Sequence, residues 1–194
     1  MPLAPLAPLD TSTMLWPQRP IKPLVLPRTP VAYWVQPKYN GWALVLPGNG
    51  TAWTRRGREI TNWTCFDNLN LCFDYPLHAE LYVAGGVATD VPRLKHGTVE
   101  PVIMVHDVMI EGQPIENRLA LLDTVVPHES PWQISQTLTA TTWDEVNRLF
   151  HTMLSQGHEG LVLKKRGSHY HIGRVGSVSL PDWCKIKEEV RFAA

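Results

Sequence analysis

The segment around Lys38 carries the side chain best suited to covalent chemistry. Lys38 is followed three residues later by Gly41, and apolar strand-like runs lie on both sides of this pair. A lysine amine attacks phosphorus or carbonyl carbon, but its usual pKa of about 10.4 means that it must first lose a proton. Burial, a neighbouring cation or a metal ion promotes that loss. The pattern is compatible with a reactive lysine and with a surface lysine before a turn.

Lysines also occur at the ends of two predicted strands near the C-terminus. In residues 159–164 an acid, Glu159, precedes a strand whose alternation places Val162 and Lys164 on one face. Lys185 and Lys187 are two residues apart, so they lie side by side on one face of the last strand. Like charges that close repel unless water or an anion separates them. An anion site and a solvated sheet edge explain this pair equally well.

Two other charged positions have a structural and a functional interpretation. Glu80 lies in an alternating segment, where it is either a sheet-surface acid or a ligand for a hydroxyl group or a metal ion. Arg55 and Arg56 precede Gly57, which is typical of a solvated turn or of a phosphate contact, because the guanidinium fork suits phosphate oxygens.

These residues must be positioned by a mixed fold. Alternating and apolar runs bounded by turn residues predict strands over 33–36, 42–46, 51–54, 78–83, 102–109, 160–165 and 182–187. Ile115, Leu119 and Leu122 share one helical face. A second helix is indicated by the capping box of Thr142 and Glu145, by Gly157 at its end, and by an apolar face of Trp143, Val146, Leu149, Phe150, Met153 and Leu154. The predicted class is α+β, with mainly antiparallel sheet and two or three helices.

The N-terminal segment has a different composition. Residues 1–30 hold eight of the 17 prolines, and proline fixes φ and removes a backbone donor. We expect a proline-rich arm over 1–30, disordered at its start and ordered from about Trp16, before a domain over 31–194. The arm should be extended and should form neither a helix nor a central strand.

Composition limits the remaining possibilities. The chain has 194 residues, 44% of them hydrophobic, which suits one domain with a substantial core. Lysine plus arginine and aspartate plus glutamate number 18 each, yet basic residues cluster locally, which leaves phosphate binding open. Three cysteines at unrelated spacings fit neither a disulfide framework nor a zinc site. Without a long apolar run or a signal-peptide pattern, the sequence predicts a cytoplasmic protein (in the host cytoplasm if viral) with no membrane partner.

Taken in order, the segments resemble the nucleotidyltransferase, or adenylation, domain of ATP-dependent DNA ligases, which share a superfamily with RNA ligases and mRNA capping enzymes. The resemblance covers roughly residues 31–190. It rests on the order of Lys38-Tyr39-Asn40-Gly41, Thr54-Arg55-Arg56-Gly57, His78-Ala79-Glu80-Leu81, Val105-His106-Asp107-Val108, Glu159-Gly160-Leu161-Val162-Leu163-Lys164 and Trp183-Cys184-Lys185-Ile186-Lys187.

The chain departs from the family pattern at several positions. Asn40 replaces an aspartate, Ala43 replaces a common arginine, His106 replaces phenylalanine or tyrosine, and His78 with Ala79 replaces aspartate-glycine. The resemblance implies an ATP-grasp-like fold of antiparallel sheets flanked by helices. Because the sequence stops soon after Lys187, we expect no OB-fold domain in the chain, which would be a minimal enzyme, a fragment, or a protein that uses an OB-fold partner or clamp.

The resemblance also implies a role for each candidate residue. Lys38 would attack ATP and carry AMP. Lys185, Lys187 and Lys164 would contact phosphates, Glu80 the ribose hydroxyls, and Gln36 and His106 the base. Arg55 and Arg174 would contact the 5′-phosphate of a strand end, and Glu159 would lie near a Mg²⁺ or Mn²⁺ ion held largely by nucleotide oxygens and water.

The function implied by the resemblance is an ATP-dependent polynucleotide ligase, with DNA favoured over RNA because of Arg55-Arg56-Gly57. It would act as a monomer on nicked DNA, sealing a 5′-phosphate to a 3′-hydroxyl through lysine–AMP, in repair or replication. An RNA ligase, a capping guanylyltransferase that uses GTP, and a catalytically silent nucleic-acid-binding module are the alternatives. The silent module has no reason to keep Lys38, Glu80, Glu159, Lys164, Lys185 and Lys187 together.

Overall fold

The computed structural model describes residues 14–23, 26 and 32–190. The strands are β1 (Gln18–Ile21), β2 (Tyr33–Pro37), β3 (Trp42–Leu46), β4 (Trp53–Thr54), β5 (Leu77–Val83), β6 (Pro101–Val108), β7 (Trp132–Ile134), β8 (Leu138–Ala140), β9 (Leu161–Lys165) and β10 (Val178–Ile186). The α-helices are α1 (Ile115–Val125) and α2 (Trp143–Ser155), and short 3₁₀ segments span Thr64–Phe66 and Ala88–His96.

The strands form two five-stranded sheets. The first sheet has the order β1-β10-β9-β2-β8, and the second has the order β4-β3-β5-β6-β7. All pairs are antiparallel except β1 with β10 and β6 with β7, which are parallel. The chain crosses from the first sheet to the second between β2 and β3, so the loop that carries Lys38 joins the two sheets. The predicted α+β class with mainly antiparallel sheet is confirmed.

Helix α2 covers the outer face of the first sheet. The side chains of Val146, Phe150 and Met153 are buried against apolar residues of β2, β9 and β10. Its predicted capping box is present, since the Thr142 hydroxyl accepts a hydrogen bond from the Glu145 N–H. The prediction was wrong for Leu154, which is 43% exposed, because the apolar face ends one position earlier, at Met153.

The second sheet encloses the larger apolar core. Residues such as Leu44, Leu81, Ile103 and Val105 are buried there, and Leu122 of α1 packs against them. Helix α1 also buries Arg118, a residue that the apolar pattern of this helix did not predict to be inside.

The N-terminal arm contributes a strand to the domain. Residues 18–21 form β1, which pairs along the outer edge of β10, so this part of the arm is an edge strand. The Trp16 carbonyl accepts a hydrogen bond from the Gly173 N–H at 2.8 Å. The described residues of the arm from Trp16 to Ile21 thus contact the domain. The start of the arm, residues 1–13, lies outside the described residues, as do 24–25 and 27–31.

The cysteines and the length of the helices were also considered in the sequence. Cys65, Cys72 and Cys184 are free thiols. Among the helices in the described part of the chain, none is long and apolar enough to cross a membrane.

Candidate active site

A cleft of about 1050 Å³ lies between the two sheets and gathers most of the predicted site residues. Those that line it are Gln36, Lys38, Arg55, Glu80, His106, Lys164, Lys185 and Lys187. Glu159 adjoins the cleft through its ion pair with Lys38. Arg174 does not line it and is exposed in the loop before β10.

The Lys38 loop is fixed by contacts to both sheets. On the side of the first sheet, the Lys38 N–H donates to the Gly160 carbonyl at 2.9 Å, and the Glu159 N–H donates to the Lys38 carbonyl at 3.0 Å. On the side of the second sheet, the Gly41 N–H donates to Glu80 Oε1 at 3.0 Å. A Cβ at Gly41 would lie 2.4 Å from the Leu81 carbonyl oxygen, so a larger residue would push the loop away from β5.

Glu159 bridges the two lysines on either side of it. It precedes β9, which lies between β2 and β10, and these neighbouring strands lead to Lys38 and Lys187. Lys38 Nζ donates to Glu159 Oε2, and Lys187 Nζ donates to Oε1. Partial burial opposes ionisation of Glu159, but the hydrogen bonds from Lys187 and Lys38 outweigh it and lower its pKa. The carboxylate is therefore ionised and holds both ammonium groups.

The following residue, Gly160, allows this close arrangement. Its φ of +146° is one that L side chains rarely adopt, and a Cβ there would lie 2.1 Å from the Ile186 carbonyl oxygen. The glutamate-glycine pair therefore brings the carboxylate next to the end of β10.

The cleft is strongly basic although the whole chain has no net charge. Nine lysine and arginine side chains line it. Among the described residues, Glu80 is the single carboxylate that lines it. Partial burial lowers the pKa of Lys185, and the neighbouring charges of Lys187, Lys38, Arg19 and Arg55 lower it further. Such a concentration of positive charge favours an anionic ligand with several charges.

Gln36, which lines the cleft beside β9, has its amide fixed. Its side chain is 2% exposed, and Nε2 donates to the His106 carbonyl at 3.1 Å and to Thr137 Oγ1 at 2.9 Å. These two bonds assign the amide orientation and leave Oε1 as an acceptor. A base amino group is the kind of donor that this oxygen can recognise.

His106 also lines the cleft, and its ring lies 4.3 Å from the ring of His78. Burial lowers the pKa of His78 to about 3, with Lys164 adding to the effect. Burial and the neighbouring His78 also lower the pKa of His106. Both rings are therefore neutral at physiological pH and present an uncharged aromatic surface that can stack on a base.

Lys164 makes internal contacts that the sequence did not predict. Its Nζ donates to Asp107 Oδ2 at 2.8 Å and to the His106 carbonyl at 2.9 Å, and it lies 4.1 Å from the centre of the Trp183 ring. Arg118 donates to the same carboxylate, from Nε to Oδ1 at 2.7 Å. Burial lowers the pKa of Lys164 to about 8, with Asp107 opposing the shift. Lys164 thus lines the cleft from within a buried ion-pair network.

Sequence reasoning missed several of these residues. Arg118 had a usable signal, because a cation on an apolar helix face needs a buried partner, and so did Asp107 within an apolar strand. Arg19 lines the cleft from β1 but had no signal beyond its position in the proline-rich arm. Arg174 was predicted beside Arg55, and the structure connects their loops, since Ser177 Oγ donates to the Arg55 carbonyl at 3.4 Å.

A candidate metal site can be tested on the acids present. In residues 14–23, 26 and 32–190, no three histidine, cysteine, aspartate or glutamate residues are grouped so that they could hold a metal ion. Glu159 is the carboxylate that is hydrogen-bonded to Lys38. This arrangement fits an ion coordinated mainly by nucleotide oxygens and water, which is how Mg²⁺ commonly binds.

Comparison with known proteins agrees with this geometry. The sequence model of the ATP-dependent DNA ligase domain family matches residues 86–187. The DNA ligase of Archaeoglobus fulgidus is 28% identical over 85 residues, which are 44% of this chain and 15% of that protein. A probable DNA ligase of Pseudarthrobacter chlorophenolicus is 34% identical over 82 residues, which are 41% of this chain and 14% of that protein. The matches thus span about a seventh of the length of these curated relatives.

Solved structures have the same fold. Chlorella virus DNA ligase–adenylate superposes with a TM-score of 0.69 at 15% identity, over 88% of this chain and 66% of that one. The ATP-dependent DNA ligase of bacteriophage T7, in complex with ATP, gives a TM-score of 0.60 at 17% identity, over 88% of this chain and 68% of that one. Since the family match covers more than half of the chain, the protein belongs to the ATP-dependent DNA ligase domain family.

Proposed function

We propose that this protein is an ATP-dependent DNA ligase that carries AMP on Lys38 and joins a 5′-phosphate to a 3′-hydroxyl in nicked DNA. The observation that supports it most directly is the position of Lys38. The amine lies in a basic cleft between two sheets, held by an ionised glutamate. Lys185 and Lys187, at the end of β10, and Arg55, just after β4, line the same cleft. Family membership favours ATP as the nucleotide and DNA as the polynucleotide. The protein would act as a monomer in the cytoplasm.

In the first step the neutral amine of Lys38 forms a bond to the α-phosphorus. The bond from the α-phosphorus to the oxygen that bridges to the β-phosphorus breaks, its electron pair leaves with pyrophosphate, and the nitrogen loses a proton. Glu159 has a lowered pKa, so it positions the ammonium before reaction rather than serving as a strong base. Lys185 and Lys187 stabilise the charge that develops on the phosphate oxygens.

The remaining residues of the cleft would orient the nucleotide. Gln36 and the neutral ring of His106 would contact the base, and Glu80 would accept from the ribose hydroxyls. Lys164, fixed by Asp107, would contribute a positive field close to the phosphates. A Mg²⁺ or Mn²⁺ ion at Glu159 would neutralise charge on the phosphates when bound.

In the later steps AMP moves from Lys38 to the 5′-phosphate, and the 3′-hydroxyl then displaces AMP. Arg55 lines the cleft and suits that 5′-phosphate, because its guanidinium can bind two phosphate oxygens at once. Arg174 would provide a second contact from the adjoining loop. Positioning and charge neutralisation supply most of the catalysis in phosphoryl transfers.

Covalent labelling tests the proposal. Incubation with ATP labelled at the α-phosphate, followed by a denaturing gel, should show acid-labile label on the wild-type protein. The Lys38→Ala variant should take up none, because no other side chain occupies this position. The matched control is Lys165→Ala, since Lys165 is exposed on β9 and does not line the cleft. Label retained in Lys38→Ala, or no label on the wild type, would overturn the assignment.

A further inference from the structure

Strand β1 adds a cation to the cleft from outside the segments that define the family resemblance. Arg19 lies on β1, next to β10 in the first sheet, and its residue partner in that pairing is Ser179. Arg19 Nε donates to Ser179 Oγ at 3.0 Å. Among the described residues, none accepts a hydrogen bond from the two terminal guanidinium nitrogens. One edge of the guanidinium is therefore anchored while its other donors remain available to a ligand.

The position of Arg19 in the cleft indicates which part of a bound nucleotide it would contact. Gln36, Lys164, Lys185 and Arg19 line the cleft from the successive strands β2, β9, β10 and β1. Neighbouring strands are about 4.8 Å apart. Gln36 and Lys164 are buried, Lys185 is partly buried and Arg19 is exposed. The series thus runs from an enclosed end suited to a base towards an open, basic rim.

A nucleoside triphosphate fits this series in one orientation. Its base would lie at the enclosed end, its α-phosphate near Lys38 and Lys185, and its β- and γ-phosphates towards the rim. Arg19 is close enough to Lys185 for its charge to lower the pKa of that lysine. An anionic group bound between the two side chains would relieve their repulsion.

We propose that Arg19 is a binding residue for the leaving pyrophosphate, acting on the β- and γ-phosphates of the nucleotide during attack by Lys38. This inference rests on the proposed function. When the bond between the α-phosphorus and the bridging oxygen breaks, one additional negative charge develops on the departing pyrophosphate. The planar guanidinium can bind two of its oxygens and stabilise that charge. In the reverse direction, the same contact holds pyrophosphate in line with lysine–AMP.

The pyrophosphate assignment predicts effects on some steps and none on others. Pyrophosphate takes part in formation of lysine–AMP and in its reversal, but it is absent when a pre-adenylylated nick is sealed. A residue that contacts pyrophosphate therefore affects the first two reactions only. A residue that contacts DNA affects the third.

The experiment compares the wild type with Arg19→Gln and Arg19→Lys in all three reactions. Loss of one charge-assisted contact corresponds to roughly a 10- to 100-fold effect. Arg19→Gln should slow lysine–AMP formation by about that factor. It should raise by a similar factor the pyrophosphate concentration needed to release ATP from the isolated adenylylated protein. Sealing of a pre-adenylylated nick should stay within about twofold, and Arg19→Lys should recover part of the loss.

The control is Arg148→Gln, because Arg148 is exposed on α2 and does not line the cleft. It should match the wild type in every reaction, and thermal denaturation should give the same midpoint for all variants. Unchanged reaction with ATP and pyrophosphate in Arg19→Gln would overturn the inference, as would an equal loss in sealing of pre-adenylylated nicks. In both cases wild-type labelling would remain, whereas failure of the proposed function would leave the wild type itself unlabelled.

Discussion

The two carboxylates beside Lys38 have opposite electrostatic environments. Glu159 is half-buried and receives hydrogen bonds from two lysines, so its pKa is lowered. Glu80 is held among apolar strands, and burial raises its pKa to about 7, although Lys38 and the Gly41 N–H oppose the shift. At neutral pH, therefore, Glu159 is a fixed counter-ion, whereas Glu80 gains or loses a proton.

This difference predicts how stability depends on pH. The pKa of Glu80 rises from 4.5 to about 7 on folding, so the protonated form is favoured in the folded state. Its contribution to stability is complete below pH 4.5 and is lost as pH rises to about 7. The free energy of unfolding of the wild type, relative to that of Glu80→Gln, should therefore fall between pH 4.5 and about 7. Above pH 7 the two curves of unfolding free energy against pH should run parallel.

Urea denaturation at a series of pH values measures this difference. Glu129→Gln is the control, because Glu129 is exposed at the surface. Curves for the wild type and Glu80→Gln that remain parallel from pH 4.5 to 7 would contradict the prediction.

Single residues differed in how far the sequence revealed them. Lys164 could be placed on the face of Val162, and Lys185 on the face of Lys187, because strand alternation fixes the direction of a side chain. The ion pairs of Glu159 could not be predicted, because they depend on β9 lying between β2 and β10. Arg19 could not be placed in the cleft either, because a parallel partner for β1 leaves no mark in the local sequence.

At the scale of secondary-structure elements, one buried network joins three of them. Asp107 on β6 binds Lys164 on β9 and Arg118 on α1, and all three side chains are at most 1% exposed. Burial opposes ionisation of Asp107, but Lys164 and Arg118 outweigh it and lower its pKa. The network thus connects the two sheets and one helix behind the cleft.

Asp107→Asn should therefore be strongly destabilising. Removing the carboxylate leaves two buried cations without a counter-charge, and breaking a buried pair costs about 3–5 kcal/mol. The double variant Asp107→Asn with Lys164→Met should recover part of this loss, because one of the cations is removed. Urea denaturation gives both values.

Lys165→Met is the control for the lysine change, since Lys165 follows Lys164 on β9 but is exposed. A loss below about 1 kcal/mol for Asp107→Asn would show that the network adds little to stability, as exposed ion pairs do.

The elements themselves were predictable where the pattern was long. Strands β3, β5, β6 and β9 and helix α2 were predicted from alternation, apolar runs and a capping box. Strands β7 and β8 have three residues each, which is too few to show an alternation of apolar and polar residues. Their pairing depends on contacts with β6 and β2 rather than on their own sequence.

At the scale of the whole molecule, the charges are separated in space. The chain has equal numbers of acidic and basic residues, yet the cleft is lined by nine cations. Composition alone could not reveal this separation, because it arises when distant segments fold together. The resemblance of six ordered segments did predict the fold class, since their order along the chain reflects shared topology.

Binding to nicked DNA should consequently weaken as salt increases. The logarithm of the affinity should fall linearly with the logarithm of the salt concentration, because phosphate contacts release counter-ions. Arg55→Gln should reduce the magnitude of the slope by about one, as expected for loss of one phosphate contact. Fluorescence anisotropy of a labelled nicked duplex measures these slopes.

The exposed Arg148 on α2 again supplies the control, and Arg148→Gln should keep the wild-type slope. An affinity insensitive to salt, or the same slope in Arg55→Gln, would mean that the basic cleft does not hold the duplex.

The Lys38 loop passes from one sheet to the other, and this crossing has a mechanical consequence. A nucleotide in the cleft would contact Lys185 on the first sheet and Glu80 on the second. It would therefore link the two sheets that the chain also connects at Lys38. A ligand that binds only the folded state raises stability as its concentration exceeds its dissociation constant. The nucleotide would thus stabilise the packing of the two sheets against each other. The covalent adenylate would keep these contacts after pyrophosphate has left.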